Sequence, residues 1–155
     1  MANKITVSAS YLISEKKVED FVYSKADFII KAIEKFEHKS ERTSDPFFTK
    51  EEIKNIILEL CDSVYPYFEK MGVKYPQIKF RTMKTRWGSC NPSKNIITFN
   101  NELMYAPKEC IEYVVKHEFT HFLQPNHSKK FYLELEKICP DWKDLRNKLK
   151  NINVM

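Results

Sequence analysis

The chain of 155 residues is poor in glycine, with only Gly72 and Gly88. Its turns must therefore be built from Asn, Asp, Ser and Pro, the other residues that favour turn conformations. It also lacks any uncharged apolar run near the roughly 18 residues of a membrane span, which excludes a transmembrane helix. The first ten residues contain no apolar segment typical of a secretory signal. We therefore expect a cytoplasmic protein.

Paired cysteines are missing too. The four cysteines form no Cys-x-x-Cys motif and are widely separated, at Cys61, Cys90, Cys110 and Cys139. This pattern is not that of a disulfide framework, and we expect reduced thiols. No charge of one sign dominates, because 26 Lys and Arg are interleaved with 21 Asp and Glu, giving a formal net charge of +5. We interpret these charges as a solvated surface, which indicates neither a membrane nor a nucleic acid as partner.

Hydrophobic periodicity predicts an α+β fold in a single domain over 1–155. The expected parts are an N-terminal strand at 4–11 and a helix after Ser14 within 1–38, a polar linker at 39–49, and a core at 50–155 that contains the candidate site residues described below.

In the core, Thr49 and Glu52 have the spacing of a capping box, which predicts the start of a helix. Pro66 should kink or end this helix, and Gly72 should terminate what remains. Three strands follow, the last two paired as a hairpin, at 77–82, 87–90 and 96–99. Pro107 should open the next helix. That helix breaks at 124–126, and two more close the chain at 129–137 and 141–149. The strands should form a small antiparallel or mixed sheet.

Three of the four histidines lie within eleven residues, in the segment VVKHEFTHFLQPNH. His117 and His121 are four apart on a helix, so their side chains share one face and both can bind one zinc ion. Glu118 lies about 100° further round the helix, where it can take a proton from a zinc-bound water. The alternative is two inert histidines in a core helix. Three polar residues interrupting an apolar run would be costly to bury unpaired, so we favour one zinc ion per chain.

A catalytic zinc site has three protein ligands and an open position. His127 follows the break in the chain and is the first candidate for the third ligand. A carboxylate on the next helix, Glu134 or Glu136, is the alternative, as in thermolysin-like enzymes. The short span favours His127, with Glu134 then available to hydrogen-bond a ligand imidazole. The spacing HExxH-x5-H matches the metzincins in length, but Gln124 replaces their glycine, which excludes that assignment.

Several segments together resemble the YgjP-like metallopeptidase family, relatives of the SprT-like and WLM zinc proteases. They are RWGSC at 86–90, IxFN at 97–100, Leu103, Pro107, YVVKHEFTH at 113–121 and NHSKKF at 126–131. The resemblance implies a compact zincin-like core, in which a small sheet packs on an active-site helix with flanking helices. It also implies His117, His121 and His127 as zinc ligands, Glu118 as general base, and a peptide or protein as substrate.

The segment before the active-site helix carries candidate substrate-binding residues: Arg81, Lys84, Arg86, Trp87 and Ser89. One interpretation is an exposed strand edge that cations keep soluble. A second makes this strand a wall of the cleft, where a peptide pairs by strand addition. A third has the cations hold phosphates, with Gly88 allowing close approach of the backbone.

Other side chains near the site have open roles. Tyr105, Tyr113 and Tyr132 are all candidates to stabilise an oxyanion, and the sequence does not choose among them. Cys90 is best interpreted as a packed thiol rather than a nucleophile.

The sequence therefore predicts a zinc-dependent metallopeptidase that uses a Glu-activated water. Two alternative functions would use the same zinc site. The first is a nucleoside triphosphate hydrolase, as proposed for some YgjP-like proteins. The second is a DNA-associated protease, as in the SprT-like branch. The second would need a denser basic surface than this chain has. A purely structural zinc is disfavoured, because a closed site needs a fourth ligand and has no use for Glu118.

Overall fold

The computed structural model describes residues 7–30 and 45–152. Backbone contacts divide the chain into two compact units, Met1–Arg42 and Thr43–Met155. The single domain predicted over 1–155 stays a prediction. Most of the predicted linker, at 39–44, lies outside the described residues.

In the first unit, helix α1 (Glu15–Ser24) follows Ser14 as expected. The strand expected at 4–11 is not formed over its described part, because 7–10 has no regular structure and the chain turns at residues 11–12. The alternating apolar residues are not covered either: Val7 is 47% exposed and Tyr11 95% exposed. An alternating pattern gives a strand only where a neighbour pairs with it and one face is buried, and neither condition is met here.

Helix α2 (Lys50–Glu69) begins at the predicted capping box. The Thr49 hydroxyl accepts from the Glu52 N–H at 3.2 Å, and the Glu52 carboxylate accepts from the Thr49 N–H at 2.7 Å. Of the two outcomes expected at Pro66, a kink or an end of the helix, the end is wrong, since the helix runs on to Glu69. Phe68 lies beyond the proline and is fully buried. Its burial, worth about 1.5–3 kcal/mol, offsets much of the cost of a proline inside a helix.

A mixed sheet of three strands follows: β1 (Gln77–Arg81), β2 (Gly88–Asn91) and β3 (Ile96–Asn100). The strand order is β1-β3-β2, with β1 parallel and β2 antiparallel to the central β3. The predicted hairpin is confirmed between β2 and β3. Asn95 completes its turn in the left-handed conformation, at φ 53°, which Asn tolerates better than most residues.

Three helices close the fold: α3 (Lys108–Thr120), α4 (Lys129–Ile138) and α5 (Trp142–Lys150). Helix α3 packs against α2, α4, α5 and β2, so it lies at the centre of the unit. Its buried Phe119 contacts Phe68 of α2 with ring centroids 5.3 Å apart. This arrangement confirms the predicted α+β class. None of the helices described here is both long and apolar enough to cross a bilayer.

Candidate metal centre

Three histidines meet where α3 ends and the chain returns toward α4. His117 lies in the last turn of α3, His121 caps that helix, and His127 precedes α4. The ring centroids are 5.0 Å apart for His117–His121, 4.9 Å for His117–His127 and 4.7 Å for His121–His127. One nitrogen from each ring falls within 4.8 Å of the other two. The three imidazoles can therefore hold one metal ion.

A buried aromatic ring supports all three histidines. Phe131, on the first turn of α4, is fully buried, and its ring centroid lies 4.7–4.8 Å from each imidazole centroid. Because a phenyl ring offers no ligand atom, it packs the imidazoles together without competing for the metal. Sequence reasoning missed this role, although Phe131 comes four residues after His127, one helical turn away.

Hydrogen bonds favour a particular nitrogen on two of the rings. Nδ1 of His121 lies 3.2 Å from the carbonyl oxygen of Gln124, so Nδ1 carries the proton and Nε2 keeps its lone pair. Nε2 of His117 lies 2.9 Å from Nε2 of His127. Two nitrogens bound to one tetrahedral zinc would be about 3.3 Å apart, given ligand bonds near 2.05 Å. This pair of nitrogens thus lies slightly closer together than such an ion would hold it.

Burial keeps these imidazoles neutral. Burial, together with the neighbouring His121 and His127, lowers the pKa of His117 to about 3. Burial also lowers the pKa values of His121 and His127. Neutral imidazole is the form that binds metal, so protons compete weakly for this site at neutral pH. Zinc is one of the divalent metals that three neutral imidazole nitrogens bind well.

Glu118 is buried beside the histidines without a partner for one oxygen. Its side chain is 5% exposed, and Oε2 has no hydrogen-bond partner. Burial raises the pKa of Glu118 to about 8, although the positive charge of Arg86 acts to lower it. A buried carboxyl oxygen left unpaired is costly, and such costs persist mainly where a group has a chemical task.

Gly88 makes room for this carboxyl group. A Cβ atom added at Gly88 would lie 2.6 Å from Oε1 of Glu118 and 2.8 Å from its Cδ and Cγ. Real Cβ atoms do not approach other atoms so closely. Any other residue at position 88 would therefore displace the side chain of Glu118.

The candidate metal centre lies in a cavity of about 640 Å³. One wall comes from β2 and the two residues before it, and another from α3. The rest comes from the His127 segment and from α5, which contributes Arg146 and Lys150. Both the three histidines and Glu118 line it. Its size is in the range of small-molecule and peptide-binding clefts.

A model of the YgjP-like metallopeptidase domain matches residues 46–152. The chain belongs to the YgjP-like metallopeptidase family. It is therefore a metallopeptidase-like hydrolase, as the resemblance of its motifs implied, and the fold is the expected compact zincin-like core. A comparison with curated proteins found no match.

Two solved structures are similar to this chain. The metallopeptidase zymogen jannalysin of Methanocaldococcus jannaschii shares 22% identity over 63% of this chain and 92% of its own, with a TM-score of 0.48. The metallopeptidase zymogen abylysin of Pyrococcus abyssi shares 21% identity over 66% of this chain and 98% of its own, with a TM-score of 0.49.

The predicted substrate-binding residues of this YgjP-like chain are not all in one place. Arg86, Trp87 and Ser89 line the cavity, whereas Arg81 and Lys84 are exposed and are not among its described lining residues. The reason is the strand order: Arg81 ends β1, which lies at the opposite edge of the sheet from β2.

The buried side chain of Asn100 fixes the loop that carries Arg86; the sequence placed Asn100 in the IxFN motif but gave it no role. The Asn100 side chain accepts from the N–H groups of Met83 and Glu102, each at 3.1 Å. Its amide nitrogen donates to the carbonyl oxygens of Met83 at 2.7 Å and Arg86 at 2.8 Å. The available signal was an asparagine at the end of an apolar strand, where this residue type is uncommon.

The remaining candidates differ in their surroundings. The Glu134 carboxylate binds Lys137 at 2.8 Å, and neither Glu134 nor Glu136 joins the group of ligand-type side chains found among the described residues. Of the three tyrosines, only Tyr113 lines the cavity, with its hydroxyl 3.5 Å from Nδ1 of His117. Burial raises the pKa of Cys90 to about 12, as suits a packed thiol rather than a nucleophile.

Proposed function

We propose that this protein is a zinc-dependent metallopeptidase that cleaves peptide bonds in peptides or proteins. His117, His121 and His127 hold one zinc ion, and Glu118 is the general base. Family membership supports the peptide substrate class. The single observation that carries the assignment of residues is the convergence of three neutral imidazoles beside a buried, unpaired carboxyl group in one cavity.

When bound, zinc supplies a Lewis acid that polarises the scissile carbonyl and acidifies a water molecule. Glu118 accepts the proton of the attacking water and then delivers it to the leaving amine. Burial raises the pKa of Glu118 in the metal-free protein, and a bound cation would lower it again, so that the carboxylate can accept a proton near neutral pH and then return it. Gly88 keeps the β2 backbone clear of Glu118, so the carboxyl group can lie in this position.

We also propose that the substrate binds as an extended strand along β2. This strand lies at an edge of the sheet and lines the cavity together with Trp87 and Ser89. An edge strand offers unpaired backbone groups to an extended peptide. Tyr113 is the candidate for oxyanion stabilisation, because it lines the cavity and its hydroxyl lies 3.5 Å from Nδ1 of His117. Four free cysteines agree with the predicted cytoplasmic location.

The two alternative activities stay predictions. Nucleotide hydrolysis was expected to use Arg81, Lys84 and Arg86 to bind phosphates. Arg81 and Lys84 are not among the described residues that line the cavity, so this activity has less support. Arg86 remains in the cavity, so the test includes nucleotides. A DNA-associated protease would require salt-sensitive binding to DNA, which is measured separately.

The test compares zinc-loaded wild-type protein with two variants. Each is incubated with an unfolded protein and a mixture of nucleoside triphosphates, and products are separated by chromatography. Zinc content is measured in parallel. Wild-type protein should retain about one zinc ion per chain and produce peptide fragments.

Glu118→Gln should retain zinc and lose at least about a hundredfold in rate, the usual contribution of a general base. His127→Ala should lose zinc, whereas the control His38→Ala, outside the matched region, should retain both zinc and activity. Full activity in Glu118→Gln contradicts the mechanism. Unchanged zinc affinity in His127→Ala moves the third ligand to Glu134 or Glu136. Loss of nucleotides without peptide fragments replaces the peptidase with a phosphohydrolase.

A further inference from the structure

Three cations from two parts of the fold line the cavity over the candidate metal centre. Arg86 lies just before β2, and Arg146 and Lys150 lie one turn apart on α5. The only carboxylate in the lining is Glu118, whose side chain is almost fully buried. A bound metal ion would add further positive charge. The cavity therefore favours a ligand that brings negative charge.

Arg146 is held close to the candidate ligands. Its guanidinium group donates to the Tyr132 hydroxyl at 3.3 Å and lies 5.9 Å from the centroid of that ring. Tyr132 in turn stacks on Trp142, with centroids 4.4 Å apart, and on His127 at 6.2 Å.

These cations are not neutralised by the protein. Among the described residues, carboxylates form ion pairs with Lys116, Lys137 and Lys148. Lys148 lies on α5 but contacts Glu109, so ion pairing uses a different side of that helix. Arg86, Arg146 and Lys150 take no part in these ion pairs, although the charge of Arg86 opposes the burial that raises the pKa of Glu118, and all three are exposed to solvent. Their charges are available to a ligand from solution.

We propose that the cavity selects peptides that carry a carboxylate close to the scissile bond, bound by Arg146 and Arg86. This inference rests on the proposed function and names its substrate class. The planar guanidinium group matches a carboxylate with two parallel hydrogen bonds, and Lys150 adds a third charge beside it. The carboxylate comes either from an acidic side chain or from the carboxyl terminus of a short peptide.

The test uses a matched set of fluorogenic peptides with the zinc-loaded full chain. One peptide carries Glu next to the cleaved bond, a second carries Gln there, and each is made with a free and an amidated carboxyl terminus. Cleavage is measured as kcat/KM for the wild type. Binding is measured separately by fluorescence anisotropy with the zinc-loaded Glu118→Gln variant, which does not depend on turnover.

We expect about a tenfold preference for the Glu peptide in both kcat/KM and Kd, since a charged hydrogen bond at a partly exposed site gives a modest gain. Arg146→Gln and Arg86→Gln should each reduce this preference, and Arg146→Lys should restore part of it. Lys143→Gln removes a charge from the same helix outside the cavity and should leave the preference unchanged. Raising the salt concentration to about 0.5 M should shrink the preference, because exposed charges are screened.

The outcomes separate this inference from the proposed function. Cleavage of the Glu and Gln peptides at equal rates, with equal Kd, overturns the inference and leaves the peptidase standing. Preferential binding of acidic peptides without cleavage supports the inference and overturns the peptidase. A preference that follows the free terminus rather than the side chain assigns the carboxylate to the end of the peptide. If no peptide binds or is cleaved, both proposals are wrong.

Discussion

Replacing Glu118 with Gln should stabilise the metal-free protein, and the gain should grow with pH. Burial raises the pKa of Glu118 from 4.5 to about 8. The folded protein therefore keeps a proton that the unfolded chain has already released above about pH 4.5. Folding stability falls as pH rises between these two values, because the folded state binds more protons than the unfolded state. Glutamine fills the same space and has no such dependence.

The size of the effect follows from the pKa difference. Linkage gives a destabilisation of about 0.8 kcal/mol at pH 5 and about 4 kcal/mol at pH 8 from this group alone, at 1.36 kcal/mol per pKa unit. The histidines near Glu118 also titrate, but they are present in both proteins and cancel in the comparison. The free energy of unfolding of Glu118→Gln relative to wild type should thus rise by about 3 kcal/mol over this range.

The assay is urea unfolding at pH 5, 6, 7 and 8 with a chelator present, followed by circular dichroism. Metal must be removed because a bound cation would favour the charged carboxylate and reverse the shift. Glu134→Gln is the matched control: it removes an exposed ion pair, so it should change stability by at most about 1 kcal/mol. A difference between Glu118→Gln and wild type that stays constant from pH 5 to pH 8 would refute the reasoning.

Two further substitutions test the supports of the site. Gly88→Ala should lower peptide hydrolysis at least about a hundredfold at unchanged zinc content, because the added Cβ lies 2.6 Å from Oε1 of Glu118. Gly72→Ala, which strains a residue at φ 81° but has open space around it, is the control that should lose stability and keep activity. Asn100→Ala should cost about 3 kcal/mol in urea unfolding, since it removes the side-chain partner of four buried or part-buried backbone groups. Asn101→Ala loses one hydrogen bond and should cost less than about 1 kcal/mol; equal losses at both positions would contradict the role of Asn100.

Local signals in the sequence predicted most of the core elements. The capping box at Thr49, the hairpin turn before Ile96 and the break before His127 each act within a few residues, so their outcome depends little on the rest of the fold. Pro66 was the exception in this region. Its local preference to end the helix was overridden by the burial of Phe68, which only the packed core provides.

The strand predicted at 4–11 shows the limit of periodicity. Alternation is a property of the sequence, but a strand also needs a partner and a buried face, which are tertiary conditions. Over 7–11 the structure provides neither.

The sequence by itself determined the chemistry available at the site. Helical spacing places His117 and His121 on one face with Glu118 beside them, because those positions are fixed by the geometry of a single helix. Tertiary structure decided the rest. It brought His127 against this pair, placed Phe131 beneath all three imidazoles, and buried Glu118 against the backbone of Gly88. It also brought Arg146 from α5 into the cavity and left Arg81 at the far edge of the sheet. These contacts join residues distant in the chain, so they depend on how helices and strands pack and not on any local pattern.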